Sequence, residues 1–175
     1  MGRLQNTKVA FFVEDGFEDL EFWVTVMRLR EEGASVSIVA PAAGRDYRGK
    51  HALTATSDVA AAEVSADDFD AVVVPGGWAP DKLRRYEEVT TLVGKAHGQG
   101  KIVGLICHAG LVGISAGIVD GSRATGSLGI KDDLVNAGAT WVDEAAFTDG
   151  NIVWGRVVDD IPDFCRELVE AIAER

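Results

Sequence analysis

The dipeptide Cys107-His108 is where this sequence concentrates its chemistry. It separates an apolar run, Lys101 to Ile106, from a small-residue run, Ala109 to Gly117. The first run reads as a fully buried strand and the second as a closely packed helix. A cysteine between them falls on the bend where the strand hands over to the helix. Free N–H groups and the positive end of the helix dipole favour an anion there. Such a setting lowers a thiol pKa from about 8.5 to between roughly 3.5 and 7.5. The expectation is therefore a thiolate at Cys107, fit to serve as nucleophile or redox sensor. Cys165, on the apolar stripe of the last helix, reads instead as core.

His108 is the candidate general base or cationic partner of that sulfur. Its competing reading is a histidine that only packs near a helix start. Adjacent helical residues do not face each other. The two side chains therefore meet only if Cys107 has non-helical dihedrals or His108 folds back. Glu18 stands among Glu14, Asp15, Asp19 and Glu21 in the first strand-to-helix loop. Acids at a helix start are favoured by its dipole, which suffices for Asp19 and Glu21. Glu18 is the carboxyl expected to turn into the site. Ionised, it would raise the thiol pKa; protonated, it would donate to a thiolate or a sulfinate. Gly76-Gly77 offers backbone N–H groups for an oxyanion, or else only a tight strand exit. Asp81 is a candidate to orient His108, or else a plain helix-start acid.

Elements that would position these groups alternate along the chain. Lys8 to Val13, Val36 to Ala40, Asp70 to Pro75 and the run into Cys107 read as buried strands. Helices follow: one with Leu20, Trp23/Val24 and Met27 at helical spacing, ending at Gly33; one from Pro80 to His97; and one after Cys107. Residues 43–64 read as a small β excursion. Ile130 to Asn136 reads as a short helix. Trp141-Val142, Ala145-Phe147 and Ile152 to Val158 read as strands, with Asp149-Gly150 a hairpin turn. The last helix carries Ile161, Phe164/Cys165, Leu168 and Ile172 on one stripe. This alternation implies an α/β fold with parallel strands and helices on both faces. Ligands of such sheets bind beyond the carboxyl ends of the strands. The loops at 14–19, 76–81 and 107–108 should converge there.

The 175 residues favour one domain, 1–175. A formal net charge of -11 disfavours nucleic acid and anionic membranes as partners. No apolar run approaches a membrane span, and Met1 to Thr7 lacks a signal-peptide pattern. Two cysteines make no disulfide framework and fit a reducing cytoplasm. Three histidines without metal-ligand spacing make a structural zinc site improbable.

Taken together, several short motifs resemble the PfpI branch of the ThiJ/PfpI (DJ-one) family, in the class I glutamine-amidotransferase-like superfamily. They are Phe17-Glu18-Asp19, Leu29-Arg30-Glu31-Glu32-Gly33, Pro75-Gly76-Gly77 with Ala79-Pro80-Asp81, and Ile106-Cys107-His108. Ile114-Ser115-Ala116-Gly117, Gly129-Ile130-Lys131-Asp132-Asp133 and Asn136-Ala137-Gly138 continue the match. The resemblance implies a flavodoxin-like three-layer sandwich with a mostly parallel sheet and a cysteine nucleophile elbow. It implies Cys107 as reactive thiol, Glu18 as its hydrogen-bond partner and Gly76 in the oxyanion site. It also implies an acid at position 81 reaching the histidine from a neighbouring subunit, hence homodimers or hexamers. No metal or organic cofactor is implied. The activities it implies are glyoxalase, deglycase, peptidase, chaperone or oxidative-stress response, acting on small carbonyl compounds or glycated proteins. Asp81 replaces the usual Glu, Ala109-Gly110-Leu111 the usual Gly-Pro-Gln, and Ser127-Leu128 the frequent Tyr-Pro. These departures weaken a peptidase more than carbonyl or thiol-redox chemistry. A glutamine amidotransferase needs a histidine beyond His108, and the sequence has none.

Overall fold

The runs 8–12, 71–74 and 102–106 are almost wholly apolar because they form the centre of a sheet buried on both faces. The computed structural model describes residues 2–175. In chain order the elements are β1 (Lys8–Phe12), α1 (Asp19–Glu31), β2 (Ser35–Ala40), β3 (Asp46–Arg48), β4 (Thr54–Thr56), β5 (Val59–Ala60) and β6 (Ala71–Val74). They continue with α2 (Ala79–Leu83), α3 (Glu87–Gly98), β7 (Ile102–Ile106), α4 (Gly110–Ser115), β8 (Arg123–Ala124) and α5 (Lys131–Asn136). The last are β9 (Thr140–Trp141), β10 (Ala146–Asp149), β11 (Ile152–Gly155) and α6 (Ile161–Ala173).

Seven strands pair in the order β10-β11-β7-β6-β1-β2-β5. Every pairing is parallel except β10 with β11, which form a hairpin through Gly150. Helices α1 and α6 pack together on one face, and α3 and α4 on the other. The fold is thus the α/β sandwich with a mostly parallel sheet that the alternation implies. Two details differ from the sequence reading. The expected helix over 80–97 is two helices, broken at residues 84–86. The strand at Trp141 pairs not with the large sheet but with β8, in a separate two-stranded ribbon.

Helix α6 buries Ile161, Phe164, Cys165, Leu168, Val169 and Ile172, the stripe its spacing predicts. Helix α1 does not follow its expected phase. Leu20, Val24 and Met27 are exposed, whereas Glu21, Phe22, Thr25, Val26 and Leu29 are buried. Its residues are apolar nearly all round, so no single stripe stands out. Among the described residues no helix is long and apolar enough to cross a membrane.

Close helix-to-sheet packing sets the position of the strand ends. A Cβ at Gly155 of β11 would lie 2.7 Å from Phe164 Cδ2 and 3.0 Å from Ile106 Cγ1. The ring of Phe164 lies against bare backbone there, next to the residue that precedes Cys107. Gly155→Ala should therefore cost about 1–3 kcal/mol through overpacking. Urea unfolding of the two proteins measures the difference.

Candidate active site

β7 ends at Ile106 with an extended backbone, and the next residue, Cys107, has φ 61°. A non-glycine residue in the left-handed region stores on the order of 1–3 kcal/mol of strain. A 3₁₀ turn over Cys107–Ala109 then leads into α4. The conformation is held from outside the turn, because Ser127 N donates to the Cys107 carbonyl at 3.1 Å. These non-helical dihedrals allow the adjacent side chains to meet: His108 Nδ1 lies 3.3 Å from Cys107 Sγ.

Two other loops close on this elbow by pairing with each other. Phe17 and Gly77 form an antiparallel bridge. Glu18 N donates to the Gly76 carbonyl at 3.1 Å, and Trp78 N donates to the Gly16 carbonyl at 2.8 Å. Gly77, at φ 76°, leaves no room for a side chain, since a Cβ would lie 2.5 Å from Glu18 N. The expected convergence of the three loops is therefore real, and it carries the first turn of α1 to the sulfur.

The carboxyl that arrives there is Glu21. Glu18, expected against the thiol, caps α1 instead: its Oε2 accepts from Leu20 N and Glu21 N, each at 2.9 Å. Its Oε1 faces His51 Nε2 at 3.8 Å. Glu21 is fully buried one turn further along, and its Oε2 accepts from Gly76 N at 2.7 Å. Carboxyl and thiol stand side by side and perturb each other, while Glu21 Oε1 has no hydrogen-bond partner among the described residues. The N–H of Gly76, assigned above to an oxyanion, is thus committed to Glu21. The N–H groups near enough to favour a thiolate belong to Gly77 and His108.

Burial pushes the Glu21 carboxyl up to about 7, opposed by the Gly76 N–H and assisted by the charge of Glu18. Burial, followed by the charge of Glu21, pushes the Cys107 thiol up to about 12. This reverses the expected lowering. The N–H groups of Gly77 and His108 do favour a thiolate, but α4 has only six residues and a carboxyl stands beside the sulfur. Burial, with the charge of Lys50, holds the His108 imidazole below its ordinary value, so it is neutral at pH 7. Cys165 is buried against Thr25 Oγ1, and burial raises its thiol.

Asp81 is an exposed residue of the short helix α2 and pairs with Arg85, so within the chain it is not the orienting acid of His108. A cleft of about 530 Å³ opens over the sulfur, lined among others by Glu18, Lys50, His51, Trp78, His108 and Val158. Lys50 and His51 were not singled out from the sequence. They lie in the β3–β4 hairpin, which the buried carboxylate of Asp19 holds by accepting from His51 N and Leu53 N, both at 2.8 Å. The opposite wall is steadied by Arg156, whose Nε donates to Asp160 at 2.8 Å. Among the described residues no group of three or more His, Cys, Asp or Glu is placed to hold a metal ion.

The model of the DJ-1/PfpI family matches residues 7–171. A protein of Pyrococcus abyssi named deglycase PYRAB04690 is 41% identical over 94% of this chain and 99% of its own. Deglycase PfpI of Pyrococcus furiosus is 38% identical over the same shares, 94% and 99%. The putative cysteine protease YraA of Bacillus subtilis is 38% identical over 95% of this chain and 99% of its own. Among solved structures, the Anabaena variabilis protein containing DJ-1/ThiJ/PfpI-like and ferritin-like domains superposes with a TM-score of 0.93 at 37% identity, over 94% of this chain and 48% of that one. Drosophila melanogaster DJ-1beta superposes with a TM-score of 0.90 at 25% identity, over 100% of this chain and 92% of that one.

Folded Glu21 keeps its proton up to about 7, whereas the unperturbed carboxyl releases it near 4.5. The native state therefore binds the extra proton in that window, and stability falls as pH rises through it. Glu21→Gln removes this fall. The stability of wild type relative to the variant should drop by up to about 3 kcal/mol between pH 4.5 and 7, and then level off. Urea unfolding of both proteins across that range reads the slope directly.

Proposed function

The chain belongs to the DJ-1/PfpI family, and from that premise we propose that it is a cysteine-dependent deglycase acting on α-oxoaldehydes and their adducts. The observation that carries this reading is the buried Glu21 carboxyl against the strained Cys107. A lone carboxylate beside a thiol suppresses ionisation, but a carboxylate that rises to about 7 is also a base matched to neutral pH. When the proton passes from sulfur to Glu21, the like-charge repulsion disappears. The thiolate then keeps the N–H groups of Gly77 and His108, and gains a neutral carboxylic acid as donor.

Sγ adds to the aldehyde carbon of methylglyoxal, forming the S–C bond as the carbonyl π bond breaks, and the oxygen takes the proton held by Glu21. The product is a hemithioacetal. Glu21, again a carboxylate, removes the C1 proton and returns it to C2 while the hydroxyl proton passes from the C1 oxygen to the C2 oxygen, which turns the hemithioacetal into a thioester of lactate. Water cleaves that thioester, releasing lactate and the thiol. Neutral His108, with Nδ1 at 3.3 Å from the sulfur, is placed to accept the proton of that water. With Asp81 paired to Arg85, peptide hydrolysis lacks Asp81 of the same chain behind the histidine. The homo-oligomer that the family resemblance implies would bring a second copy's Asp81 toward the site. The carbonyl chemistry does not require it.

The same pair favours a second reading. Two successive peroxide oxidations convert the thiolate to sulfenate and then sulfinate, releasing one water each. Protonated Glu21 would donate to the new oxygens. Either chemistry suits a protein of the stress response.

Lactate formation from methylglyoxal tests the first reading. Cys107→Ala should abolish it and Glu21→Gln should lower kcat/KM by about 10²-fold, whereas Glu18→Gln should act mainly on stability through the lost cap. Equal rates in wild type and Cys107→Ala would overturn the assignment. Mass spectrometry after mild peroxide tests the second, with oxygen expected on Cys107 and not on Cys165.

A further inference from the structure

We infer that Lys50 and Trp78 form an anion subsite at the mouth of the Cys107 cleft, which selects electrophiles carrying a carboxylate beside the reacting carbon. The inference rests on Cys107 being the nucleophile, as proposed above, and adds the substrate class.

Three observations support it. Lys50 and Trp78 both line the cleft that holds the sulfur. The Lys50 ammonium lies over the indole ring, 5.5 Å from its centroid, and forms no ion pair among the described residues. The ring faces solvent at 63% exposure, leaving both groups accessible to a ligand.

The backbone that carries Lys50 is also fixed. Lys50 N donates to the Phe17 carbonyl at 2.9 Å, and Gly49 N to the Leu53 carbonyl at 2.8 Å. The buried Asp19 carboxylate fixes the next turn of the same loop through two N–H groups. A Cβ at Gly49 would lie 2.6 Å from Asp19 Cγ, so the loop backbone sits directly on that carboxyl. The chain thus commits a buried charge to hold Lys50 over the cleft.

Other charges around the cleft do not compete for the role. Glu18 is engaged by the α1 N–H groups and faces His51. Asp159 is exposed at the rim, and His108 is neutral at pH 7. The field of Lys50 reaches the reacting groups, since it lowers the titration of both Glu21 and His108. An anionic group beside the attacked carbon would be stabilised by that field, and an uncharged one would not.

Iodoacetate and iodoacetamide test this at the sulfur itself. Both alkylate by forming an Sγ–C bond and releasing iodide, and one carries a carboxylate where the other carries an uncharged amide of similar size. Their rate ratio therefore cancels any change in thiol ionisation. Lys50→Gln should lower the iodoacetate-to-iodoacetamide ratio at Cys107 by about fivefold at low salt, the effect of one unit charge near contact in water. Lys50→Arg should hold the ratio within about twofold of wild type, and salt at about 0.5 M should shrink the wild-type ratio toward that of Lys50→Gln. A ratio unmoved by Lys50→Gln, in protein of native circular dichroism, overturns the subsite. Methylglyoxal turnover is measured on the same samples. A wild type that shows the Lys50-dependent ratio but makes no lactate overturns the proposed carbonyl chemistry alone.

Discussion

A single backbone N–H, that of Gly76, decides what kind of site this protein has. It meets the buried carboxylate of Glu21 at 2.7 Å, on the buried face of α1 beside Phe22, Thr25 and Val26. A buried carboxylate with no donor would cost several kcal/mol and would be driven out or neutralised. With that donor, Glu21 stays beside the sulfur and remains able to ionise near neutrality. Everything else at the site follows from this allocation. The next N–H, at Gly77, is left to favour a thiolate, and burial, followed by the charge of Glu21, keeps the thiol protonated.

Much of this architecture can be read from the residues. Continuous apolar runs mark the central strands because both faces of each are covered. The wide amphipathic contrast of α6 gives its buried stripe directly. The rule that ligands gather at strand carboxyl ends brings three loops to one place without any side-chain detail. Helix α1 defeats the same reasoning. With Leu20, Phe22, Trp23, Val24, Val26, Met27 and Leu29 spread around its circumference, period alone cannot say which side meets the sheet. Phasing the helix on Leu20, Val24 and Met27 turns Glu21 to solvent and leaves Glu18 as the site carboxyl. The actual packing is set by Phe22, whose ring meets those of Phe11 and Phe17 at 5.1 and 4.9 Å between centroids. That is tertiary information, and with it the two glutamates exchange roles.

The thiol pKa departs from the sequence expectation for a related reason. A helix-start cysteine suggests an anion because the dipole and free N–H groups favour one. Here the following helix is short, the position is partly buried, and a second acid stands in contact. Desolvation and like charge outweigh a partial positive charge. Lys50 and His51 escaped notice because they lie in an irregular hairpin whose position depends on Asp19, a residue with the look of an ordinary helix-start acid. Asp19, Glu18 and Glu21 thus sit in three different settings within one turn of helix: holding a loop, capping, and standing beside the sulfur.

The bent backbone at Cys107 draws its support from separate stretches of chain: the end of β7, the paired loops at 16–18 and 76–78, and the carbonyl contact from Ser127. None of these pieces contains the pocket by itself. A strained corner maintained only by neighbours remote in sequence relaxes once any one of them detaches, so a partly unfolded molecule would retain its sulfur but lose the arrangement that governs it. The proton exchange proposed for Glu21 and Cys107 and the integrity of the whole fold would in this way be tied together.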